Sequence, residues 1–402
     1  MHIAKRFSAN SGPFIGLNAL HILNDGFQAS FVLLLPFIAK DQGLSLTKVG
    51  SLGTILSVAS VVLALPAGYI AAKIGGLKTL IIALALYAVG LLGAGMFGHY
   101  YLLLLTFALG GVGFGVFHPI AFSLIAKWAP KATRGRAMGN FTAIGDVGRI
   151  GISAALSFVV VAIGWRHAAI IYAIAALVIA ACAYHFWLSK GGSLAPKEHT
   201  TTPLSLWQII RNRRYLLAIS ASALDAFASA SLFVFLPFLL LKRGVDPAFL
   251  GTFTAAFFVG NFFGKTILGR FVDKFGGTKV FITSEVLMAA FIFLLANATA
   301  LPFIVFCSIV LGVFTKGTVP VLQTMVSESV EHHGNFEKAF GFGGLVSGAA
   351  ITSAPFLLGF ASDKLGIVSA FNIMAAVALV AVIPALCFYV TRQQEAHEVP
   401  GK

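Results

Sequence analysis

The chain has 402 residues, of which 58% are hydrophobic and only 10% charged, far below the roughly 25% charged of a water-soluble domain. A mean hydropathy of +0.92, with 38 Phe and 42 Gly, excludes a soluble globular enzyme and fits a chain dissolved in lipid. The net charge of +14 would suit a nucleic-acid binder, but the basic residues are spread between apolar runs rather than gathered on one patch.

In chain order, Lys5 and Arg6 precede an apolar stretch much longer than the core of a cleavable signal peptide, so it reads as a retained first span over 14–39. Further runs follow over 48–72, 79–98, 100–127, 138–163, 167–188, 215–241, 249–271, 279–298, 301–328, 340–361 and 367–390. Most have about the 20 residues needed to cross roughly 30 Å of hydrocarbon. The expected fold class is therefore an all-α membrane protein of twelve transmembrane helices. Twelve spans put both termini on one side. Nineteen Lys and Arg fall on that side and six on the other, while Arg149, Lys265 and Lys316 lie inside spans. The positive-inside rule then predicts a multi-pass protein of the cell inner (plasma) membrane with both termini cytoplasmic. Cys182, Cys307 and Cys387 all fall in apolar runs, so no disulfide framework or zinc-type spacing is read.

Shifting the sequence by 201 residues aligns its two halves without a gap from about 24 to about 145. Leu35, Pro36 and Phe37 fall on Leu236, Pro237 and Phe238; Gly43 and Gly50 fall on Gly244 and Gly251. Gly68, Lys73, Gly75, Gly76 and Lys78 fall on Gly269, Lys274, Gly276, Gly277 and Lys279, and Gly111 and Pro119 on Gly312 and Pro320. Glycine and proline matches carry weight because each marks a backbone requirement. The chain divides into an N-terminal six-helix bundle (1–188), a polar, basic cytoplasmic linker (189–214) and a C-terminal six-helix bundle (215–402). Two such pseudo-symmetric bundles can rock about a central cavity, exposing it to one face at a time.

A charge at bilayer depth costs at least about 2.5–3.5 kcal/mol on insertion scales, so it normally faces a cavity or a partner. In the first span His21, Asn24, Asp25 and Gln28 share one helix face. Thr142, Asp146, Arg149 and Ser153 form a second stripe in the fifth span, where Asp146 and Arg149 are spaced to pair. Ser222, Asp225 and Ser229 share a face in the seventh span; Lys316 and Gln323 do so in the tenth, where Pro320 marks a kink. Lys316 has no acid in its own span, which points to an anion site or to pairing with Asp225 or Asp25. Lys265 lies near the end of the eighth span and reads as snorkelling to the surface, and Glu285 as lying outside the cavity. Gly110, Gly111, Gly113 and Gly115 sit inside a span and read as a helix-packing surface, not a phosphate cradle. The chain carries no P-loop, metalloprotease motif or nucleophile elbow, so neither an enzyme nor an ATP-driven pump is expected, and no cofactor.

Gly269, Asp273, Lys274 and Gly276 resemble the loop motif of the major facilitator superfamily, in which acid and base latch the cytoplasmic side. Ala72 stands where the first-half copy would have its acid, so the resemblance gives the latch role to Asp273. The superfamily resemblance implies the major facilitator fold, with the first, fourth, seventh and tenth spans lining the cavity. His21, Asn24 and Asp25, with Val116, Phe117, His118 and Pro119, resemble the fosmidomycin-resistance branch, whose members are proton-driven exporters.

Together these readings predict a monomeric, proton-coupled exporter of a small anionic or amphipathic compound. Its partners are substrate, protons and lipid, with no nucleic acid. Asp25, His21, His118, Asp146 and Arg149 are the expected proton-coupling groups, and Asn24, Gln28, Asp225, Lys316 and Gln323 the expected substrate contacts. Two alternatives stay open: import of a small organic anion, and carriage of a divalent transition metal on His21, Asp25 and His118, a donor set suited to such ions.

Overall fold

The computed structural model of the chain describes residues 12–64, 66–128, 134–185, 211–330 and 336–398. Most of the linker read over 189–214 lies outside these residues; its last two positions, Arg213 and Arg214, already belong to a helix. Among the described residues, twelve helical segments are long and apolar enough to cross a membrane, and the protein is an all-helical, multi-pass membrane protein.

The first half contains α1 (Gly12–Gln42), α2 (Leu46–Ala64), α3 (Ala67–Ile74), α4 (Gly76–Met96), α5 (Tyr100–Trp128), α6 (Arg134–Ile163) and α7 (Trp165–Ala183). The second contains α8 (Arg213–Ala230), α9 (Leu232–Lys242), α10 (Leu250–Phe275), α11 (Gly277–Asn297), α12 (Leu301–Val330), α13 (Phe336–Leu365) and α14 (Ile367–Glu398). Two spans expected as single helices are each built from two. The second breaks into α2 and α3 at Pro66, which has no N–H to give to the preceding turn. The seventh breaks into α8 and α9 at Ser231, whose hydroxyl has no partner among the described residues. Ser30, at the equivalent place in the unbroken α1, bonds back to the Gly26 carbonyl.

The duplication is visible in turns and in packing. Gly43 and Gly244 turn with φ of 60° and 81°, and Gly75 and Gly276 with 97° and 83°, a region L side chains rarely enter. Gly111 of α5 lies against the Leu56 carbonyl of α2 so closely that a Cβ would overlap it. Gly312 of α12 meets the Phe257 carbonyl of α10 in the same way, at positions 201 residues further on. These glycines allow backbones to approach where side chains alone would hold them apart.

We call the end of the molecule where α1 starts the near end and the end where it finishes the far end. The two bundles meet closely toward the far end. There Thr54 of α2 donates to the Thr352 carbonyl of α13 at 2.8 Å, and Ser157 of α6 donates to the Ala248 carbonyl at 2.7 Å. Gly50 rests on the backbone of Pro355, and Gly251, its repeat mate, on that of Ser153. Asp363, on α13, caps the start of α2 across the bundle boundary. Its carboxylate accepts from the Leu46 and Thr47 amides, each at 2.8 Å, and from the Thr47 hydroxyl at 2.5 Å. Losing an N-cap of this kind costs about 1 kcal/mol, roughly a fivefold change in an equilibrium. Asp363→Ala is therefore expected to shift the protein about fivefold toward opening at the far end. Maleimide labelling of a cysteine at Thr54, in a background lacking the native cysteines, reads the shift, and unchanged labelling would show that the cap does not hold this end closed.

Candidate functional site

The ionisable groups of α1, α5 and α6 meet inside the N-terminal bundle. His21 and Asp25 lie one turn apart on α1, each only 1% exposed. Gly145 and Gly148 of α6 make room for them. A Cβ on Gly145 would overlap the Asp25 carboxylate, and one on Gly148 the Ile22 carbonyl. The His21 ring is clamped between Phe141, with centroids 4.0 Å apart, and Phe117, at 5.7 Å. Its Nδ1 lies 2.8 Å from the Phe141 carbonyl. A carbonyl only accepts, so the proton of a neutral His21 sits on Nδ1, and Nε2 offers a lone pair. That nitrogen is 3.2 Å from His118 Nε2 and 3.3 Å from Asp25 Oδ2, while His118 Nε2 is 3.5 Å from Asp25 Oδ1. With both histidines neutral, His118 Nε2–H donates to His21 Nε2. One further proton makes His21 a donor to Asp25 and turns His118 toward the other carboxylate oxygen. The junction has the geometry to hold one more proton than the neutral rings do.

From Asp25 the chain of charges runs outward through α6. Arg149 Nη2 lies 2.9 Å from Asp25 Oδ2, and its Nη1 lies 2.7 Å from Asp146 Oδ1. Asp146 is fully buried, and its second oxygen receives Lys265 Nζ of α10 at 2.5 Å. Lys265 also donates to the Thr142 carbonyl at 3.1 Å. Arg149 lies over the ring of Phe258, also on α10, at 5.6 Å. Lys265 does not snorkel to the surface, because a buried acid of the opposite bundle lies within its reach. Its partner is 119 residues away in sequence, and the spacing of polar residues within one span carries no signal for such a contact.

The groups expected to contact substrate divide. A cavity of about 300 Å³ lies among α8, α12 and α13, lined by Ser222, Asp225, Lys316, Gln323, Phe340 and Ser347 among others. By their positions along the helices these residues occupy the near half of the molecule. Asn24 and Gln28 do not line it: Asn24 donates to Asp25 at 2.9 Å, and Gln28 is half-buried one turn further along α1. Asp225 accepts from the Thr318 hydroxyl at 3.1 Å, and Lys316 forms no ion pair among the described residues.

Of the loop motif, Gly276 makes the positive-φ turn from α10 into α11, and Lys274 is exposed, its Nζ 5.1 Å from the Phe275 ring. Gly269 and Asp273 lie within α10, and the Asp273 side chain is outside those described. His21, Asp25 and His118 bring three potential metal-ligand atoms within 4.8 Å of one another. A guanidinium already occupies one side of that carboxylate, which opposes a second cation there.

Helix number, duplication and buried charge define a polytopic transporter fold, and comparison with known proteins places it. The sequence matches the Major Facilitator Superfamily profile over residues 17–242 and 218–402, and the chain belongs to that superfamily. It is 22% identical over 305 residues to the uncharacterized MFS-type transporter YcaD of Escherichia coli (strain K12 / DH10B), covering 75% of this chain and 76% of the relative. Its fold is similar to a crystal structure of a bacterial homologue of the human lysosomal transporter Spinster, inward-facing and occupied. There the TM-score is 0.72 at 15% identity, covering 94% and 96% of the two chains. It is also similar to a variant of the nucleoside transporter NupG, with a TM-score of 0.77 at 14% identity, covering 93% and 99%. The protein is a transporter and not an enzyme.

Proposed function

We propose that this chain couples proton movement to the export of a small anionic or amphipathic compound across the inner membrane, by alternating access. The observation that carries the reading is the buried run from His118 through His21, Asp25, Arg149 and Asp146 to Lys265, because it joins a protonatable junction to a contact between the bundles. Rocking the bundles apart at α6 and α10 must separate Lys265 from Asp146. A proton arriving at the histidines competes with Arg149 for Asp25, which frees Arg149 to engage Asp146 more fully and loosens the hold on Lys265. A local charge change thereby biases a two-state element.

Substrate binds in the cavity beside Lys316 and Gln323, where an ammonium with no acidic partner within ion-pair distance among the described residues favours an anionic group. The near end is cytoplasmic on the distribution of basic residues, so this conformation faces inward, and Asp273 latches that end when the far end opens. Export follows from the resemblance of the segments around Asp25 and His118 to proton-driven exporters. The single chain supplies both bundles and works as a monomer.

The test uses full-length protein in proteoliposomes loaded with the pH dye pyranine. Organic anions and amphipathic drugs that raise its thermal stability are supplied one at a time. Transported compounds are expected to move protons in the opposite direction. Transport with no proton movement would overturn the reading, and movement in the same direction would indicate an anion importer. The convergence of His21, Asp25 and His118 supports one other cargo, a divalent transition metal; Mn²⁺ and Zn²⁺ flux in the same vesicles decides it.

A further inference from the structure

A second pair of buried acids lies in the C-terminal bundle, away from the histidine junction. Asp225 of α8 forms part of the cavity wall and is 5% exposed. Behind it Glu285 of α11, which does not line the cavity, is fully buried. Neither Glu285 oxygen receives a hydrogen bond from any donor among the described residues. The polar group its carboxyl faces is that of Asp225, within hydrogen-bonding contact. Thr318 satisfies one Asp225 oxygen, and its hydroxyl is the donor that α12 supplies to the pair. Lys316, also on α12, faces Asp225 from beyond ion-pair distance. No charged residue occurs between Ala339 and Ser362 of α13 or between Ile367 and Val390 of α14. Of the other titratable groups on these helices, Tyr215 donates to the Ala339 carbonyl and Cys387 is exposed. On α10, Lys265 is turned to Asp146.

Two carboxylates in contact, out of water and without a cation bridging them, repel each other and leave acceptors unsatisfied. A single proton removes both problems. One carboxyl then donates its O–H to the other, a charge-assisted bond, and the remaining negative charge is offset by Lys316 and Thr318. We propose that Asp225 and Glu285 form a second proton-binding site, a carboxyl–carboxylate pair sharing one proton in the wall of the cavity. Each bundle thus holds a proton site of its own, histidine-based in one and carboxyl-based in the other.

Infrared spectroscopy of the full-length protein in dodecyl maltoside, which has no ester carbonyl, tests this without any transport substrate. At neutral pH the wild type is expected to show a protonated-carboxyl C=O band that shifts in D₂O. Glu285→Gln should abolish it, because Asp225 alone is served by Thr318 and Lys316. Asp225→Asn should move it to higher wavenumber, because the proton on Glu285 then meets a weaker acceptor. A wild-type spectrum without the band, or a band touched by neither substitution, would overturn the site. The wild-type spectrum decides even where a variant fails to fold. A failure of proton-coupled transport in vesicles would leave this result standing, so the two proposals fail separately.

Discussion

Asp146→Asn is expected to produce the largest loss of stability of any single change in the protein. Asp146 is the acceptor for both Arg149 and Lys265, and it is fully buried. Removing one member of a buried ion pair costs about 3–5 kcal/mol, mainly because the remaining charge is left uncompensated. Arg149 keeps Asp25, but Lys265 keeps only the Thr142 carbonyl. The uncompensated charge is therefore on α10, and the cost falls on the contact between the bundles. Thermal unfolding in detergent should show a large drop for Asp146→Asn and partial recovery when Lys265→Gln is added. A double variant no more stable than the single one would mean that Lys265 does not depend on Asp146.

The second large effect is on coupling rather than on stability. Asp25 is the carboxylate at which both histidines and Arg149 converge. Asparagine keeps the shape and one acceptor oxygen but removes the charge that draws a proton to the junction. Asp25→Asn is expected to abolish gradient-driven transport in proteoliposomes while retaining substrate binding and equilibrium exchange. His118→Ala, which leaves His21 and Asp25 in contact, should mainly change the pH dependence. An Asp25→Asn protein that still drove uphill transport under a pH gradient would rule out this assignment and point to Asp146.

Much of the architecture is written in the chain because membrane physics is local. Apolar length gives the spans, and the shift of 201 residues gives the halves, down to glycines that meet equivalent carbonyls. The stripe of His21 and Asp25 and the pairing of Asp146 with Arg149 are likewise properties of one helix at a time. What a single helix does not encode is which neighbour its face meets. Lys265 looks like a surface lysine until α10 is laid against α6, and Glu285 like a stray acid until it meets Asp225 of α8. Asn24 reads as a substrate contact because it shares the polar face, yet the bond it makes is to the next residue. A faint signal for the crossing did exist. The fifth span holds an acid and an arginine and the eighth a lysine at bilayer depth, and charges at that depth require partners.

The run of charges from Asp25 to Lys265 also has an electrical consequence. Asp25 and Asp146 against Arg149 and Lys265 sum to zero when both histidines are neutral. Rocking this part of the empty, unprotonated protein therefore carries no net charge through the membrane field, and voltage has little hold on it. One added proton leaves a net charge of one. A charge crossing the full field exchanges about 2.3 kcal/mol per 100 mV. The protonated transition at this junction is then the voltage-sensitive one, so the membrane potential acts on the stroke that carries the proton, and the substrate-carrying stroke meets the field only through the charge of its cargo.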